Sequence, residues 1–267
     1  MPQVDRNGCR LSYRVDGNPD ADTLLFSNSL GTTGAMWQPQ LDALSPLFRL
    51  IRYDTRGHGA SDAPRGAYTI DDLGLDALAI LDAAGVRTAH ICGLSLGGLT
   101  AMWLGVHAPD RVRSLVLSST AARIGNALLW QERIELVRTS GVASLADAAM
   151  GRWFTNGFRA AHPDVVARYH QMLASCPAEG YASCCAAIRD ADLRPALGTI
   201  AAPTLVIAGT HDPVTPPADA EAIRARIRGS RLSVLDAAHL SNVEQADAFN
   251  ESVIAFITQH EQGRRDG

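Results

Sequence analysis

Lysine is absent from this chain of 267 residues, so all 24 basic side chains are arginine. That excludes a Schiff-base lysine and a Ser-Lys dyad. Recognition of a substrate anion by a side-chain cation must then fall to arginine or histidine. The five cysteines, at 9, 92, 176, 184 and 185, are odd in number and form no C-x-x-C pair. They suggest neither a disulfide framework nor a zinc site, and read as reduced, mostly buried thiols. Neither H-E-x-x-H nor H-x-H-x-D-H occurs, which argues against a metal-dependent hydrolase. No apolar run is long enough to span a bilayer, and no basic run interleaves with aromatics. With a formal net charge of −4, the chain gives no reason to expect nucleic acid or an anionic membrane as a partner. The N-terminal segment "MPQVDRNGCRLSYRV" enters a strand-like pattern without a signal-peptide apolar core, so a cytoplasmic location is expected.

What is present is enough for a large buried core, since 46% of the residues are hydrophobic. Strand patterns recur at 10–15, 23–27, 48–53, 89–92, 112–117, 204–209 and 231–236. From residue 48 they alternate with helical patterns at 70–84, 97–107, 218–228 and 243–260. Several strands are nearly continuous apolar runs, as in a sheet covered on both faces. The fold class is therefore α/β, with a mostly parallel central sheet flanked by helices. The first two strands lack an intervening helix and are expected to start the sheet antiparallel. The alternation stops between about 121 and 190, where only helical patterns occur. The expected organisation is a core of 1–120 and 191–267, with 121–190 inserted before the late strands as a helical cap. The tail "EQGRRDG" (261–267) is expected to fray.

In "AHICGLSLGGLTAMWLG" (89–105) a strand must become a helix within a few residues, with Ser95 at the apex. The flanking glycines permit so tight a turn. G-x-S-x-G between a strand and a helix is the pattern of a nucleophile elbow. A serine hydroxyl needs a general base, and in this architecture acid and base follow in the order Ser, Asp, His. Asp212 stands in the loop after "TLVIAG", and His239 in the loop after "RLSVLD". Loops at the carboxyl ends of parallel strands are where α/β sheets build sites. Ser95, His239 and Asp212 are therefore the expected catalytic residues. The other seven histidines fit these roles less well. The expected oxyanion donors are the backbone N–H of Leu96 and, from the loop "FSNSLGTTGAMW", that of Leu30.

Taken together, "NSLG", "YDTRGHGASD" (53–62), "GLSLGG" (93–98), "AGTHDPVTP" (208–216) and "AAHLSNVEQ" (237–245) resemble the α/β-hydrolase superfamily over essentially the whole chain. More narrowly, "NSLGTTGAMW", "WQERIELVR", "RWFTNGFRAAHPDV" and "YASCCAAIRDADLR" are similar to 3-oxoadipate enol-lactonases. The resemblance implies the α/β-hydrolase fold with a helical cap, no cofactor and no metal. It also implies a small lactone substrate bearing a carboxylate, used in the β-ketoadipate route of aromatic degradation. Asn28-Ser29 replaces the His-Gly common in the wider superfamily. Trp130 and Arg133, three apart in the insert, share a helical face and are the expected substrate-binding residues, with Leu129, Ile134 and Val137 turned inward beside them. Asp54, Arg56 and Asp62 are expected to tie a loop together, and Asp190 and Asp192 to latch cap to core. A monomer or small homo-oligomer is expected. The alternatives are another small-substrate hydrolase of this fold (a carboxylesterase, C–C hydrolase or perhydrolase) or a non-catalytic small-molecule receptor.

Overall fold

A computed structural model describes residues 1–265, with side chains as far as Glu261. Eight strands form one sheet in the order β1-β2-β4-β3-β5-β6-β7-β8. They are β1 Gln3–Arg6, β2 Cys9–Gly17, β3 Thr23–Ser27, β4 Arg49–Tyr53, β5 Ala89–Leu94, β6 Val112–Ser118, β7 Thr204–Gly209 and β8 Arg231–Leu235. From β3 to β8 every pairing is parallel, and β3, β5 and β7 are buried at every residue. The apolar runs thus belong to strands covered on both faces.

The start of the sheet differs from expectation. β2 is antiparallel to its neighbours, but it pairs with β1 and β4, and β3 runs parallel to the rest. A 3-10 turn, Gly34–Gln40, and a short helix α1, Leu41–Leu44, carry the chain from β3 to β4. That crossover is too short to leave a helical period in the sequence, which is why the two leading strands read as a simple pair.

Of the helices on the sheet, one begins where side chains satisfy its free N–H groups. Helix α2, Ile70–Ala83, opens on a capping box between Thr69 and Asp72. Helix α3, Leu96–His107, is buried from Leu96 to Gly105 and lies at the centre of the molecule. The chain closes with α9 Pro217–Arg224, α10 Ser241–Glu244 and α11 Ala246–Arg265. Fraying is expected over 261–267; α11 continues to Arg265, and residues 266–267 lie outside the described residues. Among those described, no helix is long and apolar enough to cross a membrane.

Between β6 and β7 the chain is helical: α4 Ala127–Ser140, α5 Ala146–Trp153, α6 Asn156–Ala161, α7 Pro163–Ala174 and α8 Ala178–Asp190. This insert meets the core along several seams, among them one where the Tyr169 hydroxyl of α7 donates to the Met36 carbonyl. On a second, Gly180 of α8 lies directly on Gly57, where a Cβ would stand 2.2 Å from the Gly57 carbonyl oxygen. No other residue fits so close a backbone approach. Tyr68 N–H also donates to the Ser183 carbonyl on this seam. On a third, the Arg152 and Trp153 carbonyls accept from His239 and Leu240 N–H at 3.4 and 3.0 Å. Glu244 completes it, accepting from Ala238 N–H at 2.9 Å and from the Thr155 hydroxyl and N–H. Asp192 joins insert to core as expected, pairing with Arg123 at 3.6 Å as well as with Arg194, whereas Asp190 pairs with its neighbour Arg189 inside the insert.

The segment 53–62 is a cross-braced loop. Arg56 forks onto buried Asp76 at 2.5 and 2.6 Å, and Arg6 reaches the same carboxylate. Asp54 accepts from Gly34 and Ala60 N–H, and Asp62 pairs with Arg10.

Candidate active site

Ser95 sits between β5 and α3 at φ 59°, ψ −113°, one of three non-glycine residues at positive φ among those described. Such backbone costs on the order of 1–3 kcal/mol and persists only where the surroundings hold it. Here Ser95 N–H donates to the Ser118 carbonyl and the Thr120 hydroxyl donates to the Ser95 carbonyl. The glycines on either side are steric necessities. A Cβ on Gly93 would lie 2.0 Å from the Gly97 carbonyl oxygen, and one on Gly97 would lie 2.0 Å from that of Ser27.

That second contact sets the loop after β3 against the turn. Ser29–Thr32 folds into a tight turn, with Thr32 N–H and hydroxyl both donating to the Ser29 carbonyl. Asn28 braces its base, accepting from Trp37 Nε1 at 2.9 Å and donating to the Tyr53 carbonyl at 2.6 Å. Both ends of the Asn28 amide are thus committed to structure. Among the described residues neither the Leu30 N–H nor the Leu96 N–H has a protein acceptor. Free backbone N–H groups at a helix start are positioned to receive negative charge.

Asp212 follows β7 and His239 follows β8, and the two meet. Asp212 Oδ2 lies 2.8 Å from His239 Nδ1, with the side chains buried. Asp212 also accepts from the N–H groups of Val214 and Thr215 and from the Thr215 hydroxyl at 2.7 Å. Burial alone would raise the carboxyl pKa. The His239 ring and the Thr215 donors outweigh it and hold Asp212 below the usual carboxylate value. An ionised acceptor at Nδ1 requires the proton there and leaves Nε2 as the basic nitrogen. Among the described residues, His239 makes no protein hydrogen bond with its side chain other than that to Asp212. The nucleophile–base contact in such sites often tightens only with substrate.

Within the insert, Trp130 and Arg133 of α4 share a face, with the Arg133 guanidinium 4.8 Å from the Trp130 ring centroid. Trp130 Nε1 donates to the Ile124 carbonyl. Ile134 and Val137 turn inward, but Leu129 does not; it is 58% exposed. The helical face is narrower than its apolar residues suggest, because only the stripe through Trp130, Ile134 and Val137 packs. The insert's other arginines are mostly committed: Arg123 to Asp192, Arg138 to Glu179, Arg168 to Asp164 and Arg189 to Asp190. Among the described residues Arg133, Arg152 and Arg159 have no carboxylate partner, and Arg159 donates to the Asn156 side chain instead. Burial raises the pKa values of the Tyr181 hydroxyl and the Cys185 thiol, and the positive charge of Arg133 partly opposes it. Burial, and then the charge of Arg133, lower the Arg152 pKa.

The remaining histidines stand elsewhere. His211 pairs with Asp236 at the surface, and His90 is buried with Nδ1 2.8 Å from Ser114 Oγ. Asp22, His90 and Glu261 come close enough to suggest metal ligands, but Arg113 bridges both carboxylates. Sequence reasoning passed over Thr215, although a threonine three residues after an aspartate is a familiar reciprocal turn. It also left unread the contact between His58 and Gly31, which no sequence spacing announces.

The family model described as the alpha/beta hydrolase fold matches residues 22–246. The chain is 49% identical to 3-oxoadipate enol-lactonase 2 of Acinetobacter baylyi over 247 residues, 92% of each chain. It is 42% identical to 3-oxoadipate enol-lactonase 1 of the same organism, over 95% of each. Its structure is similar to the crystal structure of the enol-lactonase from Burkholderia xenovorans LB400, with TM-score 0.95 and 46% identity, covering 96% of this chain and 100% of that one.

Proposed function

Since this chain belongs to the alpha/beta hydrolase fold family, we propose that it is a serine hydrolase that opens the ring of 3-oxoadipate enol-lactone to give 3-oxoadipate. The observation that carries the reading is identity to two named 3-oxoadipate enol-lactonases over more than nine-tenths of each chain. Ser95 Oγ attacks the ring carbonyl while His239 Nε2 takes its proton. Asp212 holds Nδ1–H and stabilises the imidazolium. The Leu30 and Leu96 N–H groups receive the developing oxyanion. The ring C–O bond breaks, and the enolate leaves with the proton from His239 and becomes the ketone. Water, deprotonated by His239, then releases the second carboxylate from Ser95. The net change is addition of one water. Residues 121–190 act as a cap over a core of 1–120 and 191–267. Five free thiols support a reducing compartment, the cytoplasm, and the enzyme works as a monomer or small homo-oligomer. Loss of enol-lactone followed spectrophotometrically beside nitrophenyl esters tests the reading. Turnover of neither would leave a receptor; turnover of simple esters alone would leave a general esterase.

The substrate's free carboxylate must be paired when it leaves water, at a cost of several kcal/mol otherwise. Arg133, lacking an acidic partner and stacked on Trp130, is suited to that task, with Arg152 nearby to reinforce the positive field. Arg133→Met is expected to lose about 1.5–3 kcal/mol of transition-state binding, or roughly 10- to 150-fold in kcat/KM on the enol-lactone. An uncharged ester should be nearly unaffected. Equal losses on both substrates would make Arg133 a prop for the cap and not a clamp.

A further inference from the structure

We propose that His58 is a positioning residue for the oxyanion hole: its imidazole fixes the Leu30–Gly31 peptide and thereby aims the Leu30 N–H. The inference rests on the reading of Leu30 as an oxyanion donor. His58 is buried, outside the triad, and touches the loop after β3 through one contact. Its Nε2 accepts from Gly31 N–H at 2.9 Å, while Nδ1 stands 3.2 Å from the Arg56 carbonyl oxygen. These partners determine the tautomer. A backbone N–H can only donate, so Nε2 must be bare, and a carbonyl can only accept, so Nδ1 must carry the proton. A neutral ring also suits the site, where burial lowers the His58 pKa despite the Arg56 carbonyl and the nearby Asp54 carboxylate.

The consequence lies in the four amides of the turn. Ser29 N–H points to Met36 Sδ, Gly31 N–H to His58 and Thr32 N–H back to the Ser29 carbonyl. Leu30 N–H is the one left without a protein acceptor among the described residues. Gly31 is at φ +79°, a conformation that only glycine adopts without cost, and lacks the Cβ that would otherwise help to fix the peptide. Without a partner its amide would be a buried, unsatisfied donor, and the turn would rotate to find one. Rotating the Leu30–Gly31 peptide re-aims the Leu30 N–H on the other side of the same Cα. The platform beneath is rigid, because Arg56 is forked onto Asp76 and the thiols of Cys184 and Cys176 reach the Arg56 and Gly57 carbonyls.

The test compares three variants on nitrophenyl acetate and on the enol-lactone. His58→Phe fills the space without an acceptor. His58→Asn reaches the Arg56 carbonyl but not Gly31, and serves if the Phe variant does not fold. His58→Gln restores an acceptor near the Nε2 position. Removing an oxyanion donor outright costs about 10²–10³ in turnover, so a misaimed one should cost about 10- to 100-fold in kcat. That loss is expected for Phe and Asn, with KM near the wild-type value and Gln recovering most of the rate. Affinity for a boronic acid, whose boron bonds to Ser95 Oγ as the serine proton passes to His239, should fall by the same factor. A folded Phe or Asn variant with kcat within about twofold of wild type overturns the proposal, and so does a Gln variant no better than Asn. A wild-type protein active on nitrophenyl acetate but inert on enol-lactone overturns the substrate assignment instead, because the ester alone decides the role of His58.

Discussion

Ser95→Ala should abolish turnover, with a fall on the order of 10⁶ where the serine is the nucleophile of a triad. The fold should survive, since the Ser95 side chain makes no hydrogen bond that caps α3 and the turn is held through backbone atoms and Thr120. Alanine still bears the cost of the positive φ, whereas glycine does not. Ser95→Gly should therefore be equally inactive and about 1 kcal/mol more stable than Ser95→Ala. Thermal melts beside single-turnover assays check both statements. Residual activity above a small fraction of wild type in either variant would rule out Ser95 as nucleophile.

Asp212→Asn is expected to lower turnover by roughly 10⁴. The asparagine amide can present its NH₂ to His239 Nδ1, which moves the ring proton to Nε2, the nitrogen that must be bare to accept from Ser95. The same substitution at Asp54, which serves the N–H groups of Gly34 and Ala60, should act on melting temperature and leave turnover largely intact. Reversal of the two phenotypes would transfer the acid to Asp54. The depressed pKa of Asp212 adds a pH signature. Its contribution to stability is complete above the ordinary aspartate value of about 3.9 and is lost as pH falls through the lower folded value. The Asn variant should lack this part of the acid-side fall in melting temperature.

Much of this molecule is readable in its sequence because the relevant signals are local. The turn at Ser95 announces itself through glycines that backbone contacts forbid from carrying a Cβ, and the strand before Asp212 is a nearly continuous apolar run. The position of β3 was misread because its crossover to β4 is a 3-10 turn and four residues of helix, without an amphipathic period. Leu129 was misplaced because an apolar residue on an amphipathic helix is not obliged to face inward. Asp190 does not latch insert to core because Arg189, one residue away, offers a nearer partner, whereas Asp192 does reach across to Arg123. The His58–Gly31 hydrogen bond spans 27 residues, and only tertiary structure brings such a pair together.

The seam between the insert and the loop of His239 bears on how enzymes of this shape can be recombined. Residues 152–155 and 238–244 share backbone hydrogen bonds and the Glu244–Thr155 contact, although 83 positions of chain separate the two segments at their nearest. A chimera that took residues 121–190 from a relative with a different 152–155 segment would import a new neighbour for the His239 loop, and so for the base proposed above. Crossovers drawn at the ends of the insert should thus give folded proteins with depressed turnover. Crossovers that carry 238–244 along with the insert should restore it, making these two segments, distant in the chain, a single heritable unit.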